Sequence, residues 1–360
     1  MQVNTDTQVV SAEHAFDVAA IEEWLGSRLP GFAGPLKVEQ FKGGQSNPTF
    51  RLKTPSACYV MRAKPASAAK LLSSAHAIER EFRVMSALKP LGIPVPTVHL
   101  LCEDESVIGR AFYVMDFADG RVLWDQSLPG MSRDERAAVY DEMNRVIAKL
   151  HSVDVHAAGL SDFGRPGNYF ERQIVRWTTQ YRASATGPNE AMDRLIDWLP
   201  AHIPASARDA SQNSVVHGDY RLDNLIFHPC EPRVIAILDW ELSTIGHPLA
   251  DFSYHCMSWH IPPALSRGIG GLDFRAFGIP DEDAYIRRYA ERRGIDVIKI
   301  EALRADWNFY LAYNLFRSAA IVQGIAKRVE NGTASSAEAR EAGARTRPIA
   351  ELGWHFARRA

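Results

Sequence analysis

Between about Pro35 and Ala118, apolar residues recur at alternate positions in short runs, VEQFKGG, PTFRLKT, ACYVMRA and AFYVMDF. Alternation of that length predicts strands that give one face to a core. KLLSSAHAIEREFRVMSAL breaks the period: Leu71, Ala75, Ile78, Phe82 and Met85 recur at helical spacing, which predicts one helix laid on the strands. After Gly120 the helical period takes over, beginning at Ser132, which with Glu135 makes a capping box ahead of Met143, Val146, Ile147 and Leu150 on one face. Between residues 214 and 240, SVV, LIF and VIAILDW read as short strands among helices. The pattern predicts an α+β chain of two lobes, β-rich over 1–118 and helical with an embedded hairpin over 119–360.

Composition narrows this reading. The 360 residues are 46% hydrophobic and 23% charged, enough for two cores and unlike a fibre, a coiled coil or a disordered chain. With 41 Lys and Arg against 43 Asp and Glu, the net charge of −2 offers no overall positive field for nucleic acid or an anionic membrane. The N-terminus lacks a basic start followed by an apolar run, and no window of 18 apolar residues occurs, so a cytoplasmic protein without nucleic-acid or membrane partners is expected. The N-x-T triplet at Asn331 is then a chance sequon. Cys58, Cys102, Cys230 and Cys256 lie far apart and form no C-x-x-C pair, which predicts reduced thiols. Oligomeric state is left open.

The chemistry concentrates in HGDYRLDNLIF, residues 217–227. An Asp followed five residues later by an Asn, between apolar runs, has the spacing of the kinase catalytic loop H-R-D-x-x-x-x-N, with Gly218 in place of Arg. In that chemistry Asp219 accepts the proton of an attacking hydroxyl, and Asn224 offers an amide oxygen to magnesium on the nucleotide phosphates. A polar hairpin turn made from the same Asp, Asn and Gly would read alike. VIAIL then delivers Asp239, in LDWE, to a strand end 15 residues after Asn224, where kinases place the D-F-G aspartate that ligates magnesium.

HGDxxxxN, a strand and LDWExxxxGxPxxD together resemble the aminoglycoside phosphotransferase family of small-molecule kinases. FKGGQSN, YVMRAKP, EREFRVMSAL, FYVMDFADG and FYLAYNLFRSAAIVQGIAKR carry the resemblance over nearly the whole chain. GNYFERQIVRW brings it nearest to the phosphotransferase domain fused to certain acyl-CoA dehydrogenases. The resemblance implies a bilobal protein-kinase-like fold, ATP and Mg2+ as cofactors, and a small-molecule hydroxyl as acceptor. No dehydrogenase module stands before Ala360, which implies the kinase half alone.

The implied roles fall on numbered positions. Gly43, Gly44, Ser46 and Asn47 belong to the loop over the phosphates, where glycine lets the backbone approach closely. In YVMRAKP, period two puts Val60, Arg62 and Lys64 on one face; register against V-A-I-K puts Arg62 at the phosphate-pairing position, with Lys64 the alternative. Glu79 and Glu81 flank the apolar stripe of the helix, so periodicity does not choose between them, and the resemblance selects Glu81 as partner of that cation. In FYVMDFADG the carbonyl of Asp116 and the amide of Ala118 would meet the adenine edge, with Met115 behind it. His217 would brace the catalytic loop and Asp251 would anchor it.

Competing patterns are weaker. Ser67 and Lys70 form an S-x-x-K without its companion motifs, and His255, Cys256 and His260 sit in an aromatic run that suits a core better than a metal. No A-P-E element accompanies the motifs, which disfavours a protein kinase. The expected function is an ATP- and magnesium-dependent phosphotransferase acting on a small-molecule hydroxyl. Arg172, Arg176, Arg182, Arg317, Lys327 and Arg328 favour an anionic hydroxy acid or hydroxyacyl thioester as acceptor. The acidic run Asp281, Glu282 and Asp283 keeps an aminoglycoside, choline or homoserine-type acceptor open. A catalytically silent nucleotide-binding module is the further alternative, which intact Asp219, Asn224 and Asp239 speak against.

Overall fold

The computed structural model describes residues 7–42, 47–65, 78–165, 167–332, 341 and 343–360. Two compact units form, one from Met1–Trp124, Ala158–Leu160 and Arg221–Ser243, the other from Asp125–Ala157, Ser161–Tyr220 and Thr244–Ala360.

In the first unit β1 (Thr7–Gln8), β2 (Lys37–Phe41), β3 (Thr49–Lys53), β4 (Cys58–Ala63), β5 (Val98–Cys102) and β6 (Phe112–Asp116) make one sheet, in the order β1-β2-β3-β4-β6-β5. Every pairing is antiparallel. Alternation then sorts the side chains. Phe50, Leu52, Met61, Ala63, Phe112 and Val114 join Ile21 and Leu25 of α1 (Val18–Gly26) in one core. The intervening Val60, Arg62, Tyr113 and Met115 line a cavity instead. Helix α2 (Ile78–Leu88) is the described part of the expected helix, and residues 70–77, like Ser67, lie outside the described residues.

The expected strand runs are β2, β3, β4 and β6. Strand β5 escapes the pattern because VHLLC is partly buried along most of its length and has no alternation. Helix α1 does carry a signal, Asp17, whose carboxylate accepts from Ala19 N at 2.9 Å and caps the turn before Ile21 and Leu25.

The later segment belongs to the first unit because it pairs there. Strands β7 (Arg121–Val122), β9 (Leu225–Phe227) and β10 (Val234–Ile237) form a sheet in the order β10-β9-β7, over a core of Val122, Ile226 and Ala236. Gly120 permits that pairing, since a Cβ there would sit 2.3 Å from the carbonyl oxygen of Phe227.

The second unit is helical around one two-stranded ribbon, β8 (Ser214–Val216) with β11 (Thr244–Gly246). Its helices are α3 (Arg133–His151), α4 (Tyr169–Ser184), α5 (Glu190–Ala201), α6 (Pro248–Cys256), α7 (Phe274–Phe277), α8 (Glu282–Arg292), α9 (Val297–Ala305), α10 (Trp307–Glu330) and α11 (Thr346–Ala357). The capping box forms as expected: Ser132 Oγ accepts from Glu135 N at 3.3 Å, and Glu135 Oε2 accepts from Ser132 N at 2.7 Å. Helix α10 packs on α4, α5, α6 and α11. Phe170 of α4 meets the rings of Phe309, Tyr310 and Tyr313 with centroids 5.0–5.6 Å away. His255 and Cys256 are buried, with His255 Nε2 2.9 Å from the Tyr285 hydroxyl, while His260 pairs with Glu282 at 2.9 Å. Among the described residues no helix is long and apolar enough to cross a membrane.

These buried rings make stability depend on pH. Burial holds His247 and His255 at about 4, and pushes His151 below its ordinary value too. The unfolded chain takes up protons near 6.5 that the folded chain refuses, so stability is full above about 6.5 and falls as pH drops toward 4. Each such histidine contributes up to about 1.4 kcal/mol per pH unit in that window. Urea unfolding at several pH values should show this slope, and His255→Gln should flatten it.

Candidate active site

Six of the sequence candidates line one cavity of about 430 Å³ in the first unit: Arg62, Met115, Asp116, Ala118, Asn224 and Asp239. That volume lies within the range of small-molecule sites. The half-exposed Trp124 and the exposed Lys42 line it as well.

Arg62 is the centre of the cavity's electrostatics. Its register on β4, opposite Thr49 on one side and Tyr113 on the other, aims it away from the apolar core. Nε lies 3.0 Å from Glu81 Oε2, and Nη2 donates to Asp239 Oδ1 at 2.9 Å and reaches Glu241 Oε2 at 3.5 Å. Glu81 is buried in turn, accepting from Asn47 Nδ2 at 3.1 Å and the Tyr113 hydroxyl at 3.0 Å. Burial opposes a charge on Arg62, but Glu81, Asp239 and Glu241 outweigh it and hold its pKa above the ordinary value. Lys64 pairs with Glu79 instead. Of the two cations left open by spacing Arg62 is the one that lines the cavity, and of the two glutamates Glu81 is the one paired with it.

A hairpin closes the 14 residues between Asn224 and Asp239. Leu225 lies opposite Ile237, and Leu238 N donates to the Asn224 carbonyl at 2.8 Å, so the two candidate ligands leave adjacent strand ends. Asp239 itself has φ 65° and ψ 61°, a left-handed conformation that costs a non-glycine residue on the order of 1 kcal/mol or more. Buried Trp240 fixes the turn beyond it by donating to Ile237 O at 2.9 Å, and Arg80 of α2 donates to Ser243 O at 3.3 Å. An amide oxygen and a carboxylate are hard donors that suit magnesium, and the Asp239 carboxylate already accepts a cation in Arg62. Among the described residues no cluster of three His, Cys, Asp or Glu side chains could hold a metal unaided, so an ion here would also need ligand from the phosphates.

Asp219 lies in the second unit, on a loop held by its backbone. Asp251 Oδ2 accepts from His217 N at 2.7 Å, and Oδ1 accepts from Gly218 N at 2.9 Å, while His151 Nε2 lies 3.2 Å from Oδ2. Burial would raise the Asp251 pKa, but the His151 hydrogen bond and backbone donors outweigh it, leaving the carboxylate below its ordinary range. His217 Nδ1 accepts from Asp219 N at 3.2 Å. Gly218 has φ 84°, which explains a glycine where protein kinases carry arginine. The Tyr254 hydroxyl donates to Asp219 Oδ1 at 2.5 Å, and buried Arg317 donates to the Gly218 carbonyl. In the sequence Tyr254 reads as one more ring of the aromatic run around His255 and Cys256, and its spacing of three from Asp251 on α6 is the signal that sets it beside the loop.

Gly43, Gly44 and Ser46 lie outside the described residues. Of the basic side chains proposed for the acceptor, Arg317 alone is buried; Arg176 covers Trp177, and Lys327 pairs with Glu330. The acidic run is engaged: Asp281 caps α8 by accepting from Ala284 N at 2.7 Å, Glu282 meets His260 and Trp307, and Asp283 pairs with Arg304.

The sequence profile described as the phosphotransferase enzyme family, APH, matches residues 37–296. The chain is 46% identical to mouse acyl-CoA dehydrogenase family member 10 over 355 residues, covering 98% of this chain and 32% of that protein, and so spans about a third of the relative's length. It is 61% identical, at TM-score 0.87, to a Ralstonia eutropha JMP134 structure provisionally assigned as an aminoglycoside phosphotransferase, covering 96% of this chain and 99% of the other. A thermostable mutant of aminoglycoside phosphotransferase APH(4)-Ia, in ternary complex with AMP-PNP and hygromycin B, shares the fold at TM-score 0.57 and 16% identity, covering 93% and 99% of the two chains.

Removing the loop's anchor should be costly. Asp251→Ala leaves two buried amides without their acceptor and is expected to lower stability by about 3–5 kcal/mol in urea unfolding. Asp251→Asn, which keeps one acceptor oxygen, should lose less.

Proposed function

The chain belongs to the APH phosphotransferase enzyme family, and we propose that it transfers the γ-phosphoryl group of ATP to a hydroxyl of a small anionic molecule. The convergence of six candidates on one cavity around Arg62 is the observation that carries this reading. In the first unit, the backbone at Asp116 and Ala118 takes the adenine edge, Met115 packs behind it, and Arg62, fixed by Glu81, steadies the phosphates as a planar fork. Gly43, Gly44, Ser46 and Asn47 supply the phosphate loop. Asn224 and Asp239 would hold magnesium, which when bound neutralises charge on the β- and γ-phosphates. In the second unit, Asp219 orients the acceptor hydroxyl and takes its proton. Most of the rate then comes from positioning and charge neutralisation.

An anionic acceptor is favoured because the acidic run Asp281–Asp283 is already engaged in a helix cap and ion pairs, whereas a polycation would need spare carboxylates. A hydroxy acid or a hydroxyacyl thioester also accords with a relative named as an acyl-CoA dehydrogenase family member.

ADP release with kanamycin, choline, homoserine and 3- and 4-hydroxy acids, free and as CoA thioesters, tests the reading. Turnover of a hydroxy acid or its thioester is expected, and turnover of kanamycin alone would overturn the acceptor class. With the acceptor that works, Asp219→Asn should lose about 10²–10⁴-fold in kcat while still binding nucleotide. Asp239→Ala should lose the rise in melting temperature that ATP with magnesium gives the wild type, because only ligand bound to the folded state stabilises by mass action. A full shift in that variant would remove Asp239 from the magnesium site.

A further inference from the structure

The side chain of Asp219 is held as deliberately as its backbone. Asp251 and Tyr254 stand three residues apart on α6, on one face. The first accepts from the amides of His217 and Gly218, and the second donates its hydroxyl to Asp219 Oδ1 at 2.5 Å. One helix thereby fixes both the main chain of the loop and the carboxylate it carries. Tyr254 is itself constrained. Its ring lies under the Arg317 guanidinium at 4.8 Å, and the same guanidinium covers Trp177 at 5.5 Å and donates to the Gly218 carbonyl. Arg317 is 5% exposed and Tyr254 8%, so both groups lose solvent and take these contacts in its place.

We propose that Tyr254 is a positioning residue for the phosphoryl transfer, fixing the Asp219 carboxylate through Oδ1 while Arg317 fixes the Tyr254 ring. The proposal rests on the reading of Asp219 as the base. In the step it serves, the acceptor oxygen bonds to the γ-phosphorus, the bridging oxygen leaves with ADP, and the hydroxyl proton passes to the Asp219 carboxylate. A carboxylate free to rotate about its side-chain torsions meets that hydroxyl in few of its orientations. A charge-assisted hydrogen bond from a buried phenol selects one.

Tyr254→Phe removes the hydroxyl alone and keeps the ring that Arg317 covers. ADP release is followed with each acceptor named above, at saturating acceptor and varied ATP, for the wild type, Tyr254→Phe, Asp219→Asn and the double variant. The expected result is a kcat about 10- to 100-fold lower in Tyr254→Phe, with KM for ATP within about twofold and the melting temperature little changed. In the Asp219→Asn background the same substitution should cost less than about twofold, since there it has no carboxylate to position. A purely structural role would lower both backgrounds alike. Wild-type turnover with an unaffected Tyr254→Phe, or losses that simply multiply in the double variant, would overturn the proposal and leave Asp219 as the base. No ADP release by the wild type with any acceptor would overturn the functional reading, and the proposal with it.

Discussion

A guanidinium that gives up water must be repaid in carboxylates, and Arg62 sets that demand for the whole first unit. Its side chain is 11% exposed, and three acidic residues from two distant stretches of chain converge on it. Glu81 comes from α2, Asp239 and Glu241 from the turn after β10. Removing Arg62 would leave buried Glu81 beside Asp239 and Glu241 with no cation among them, and stranding a buried charge in this way typically costs about 3–5 kcal/mol. The sheet, α2 and the β9–β10 hairpin are thus tied at one point by a charge that none of them could hold alone. Asn47 and Tyr113 complete the set by donating to Glu81, so the order extends to β6 and to the segment leading into β3.

In the second unit the corresponding element is neutral backbone rather than a charged side chain. Asp251 collects two consecutive amides, a geometry that needs Gly218 at positive φ between His217 and Asp219. The two devices differ in what they tolerate. An ion-pair set can be redrawn when a charged ligand arrives, because its members exchange partners. A carboxylate bonded to two main-chain amides keeps a loop in a single shape whatever occupies the site.

How much of this was legible in the sequence depended on the range of the interaction. The strand runs around Arg62 and the capping box at Ser132 were legible because alternation and caps are local rules. Arg62 against Lys64, and Glu81 against Glu79, stayed open to spacing, since both members of each pair satisfy the same periodicity. Packing separates the glutamates in physical terms: Glu81 is buried and Glu79 is not. The pairing of β7 with β9 was illegible, since two residues carry no period and the partner lies a hundred positions away. Tyr254 was hidden for a different reason. An aromatic residue on a buried helix is ordinarily core, and only its spacing of three from Asp251 hints that its hydroxyl ends on Asp219.

The left-handed backbone at Asp239 bears on how this position can change over generations. Glycine would release the strain outright, and asparagine would sit there more easily than most residues, yet either would surrender the carboxylate. The backbone conformation and the ion pair with Arg62 therefore pull this one site in opposite directions. The residue at this position should therefore follow its partner: a lineage that keeps an arginine at position 62 keeps the strained carboxylate, and one that loses that arginine is free to exchange it for glycine.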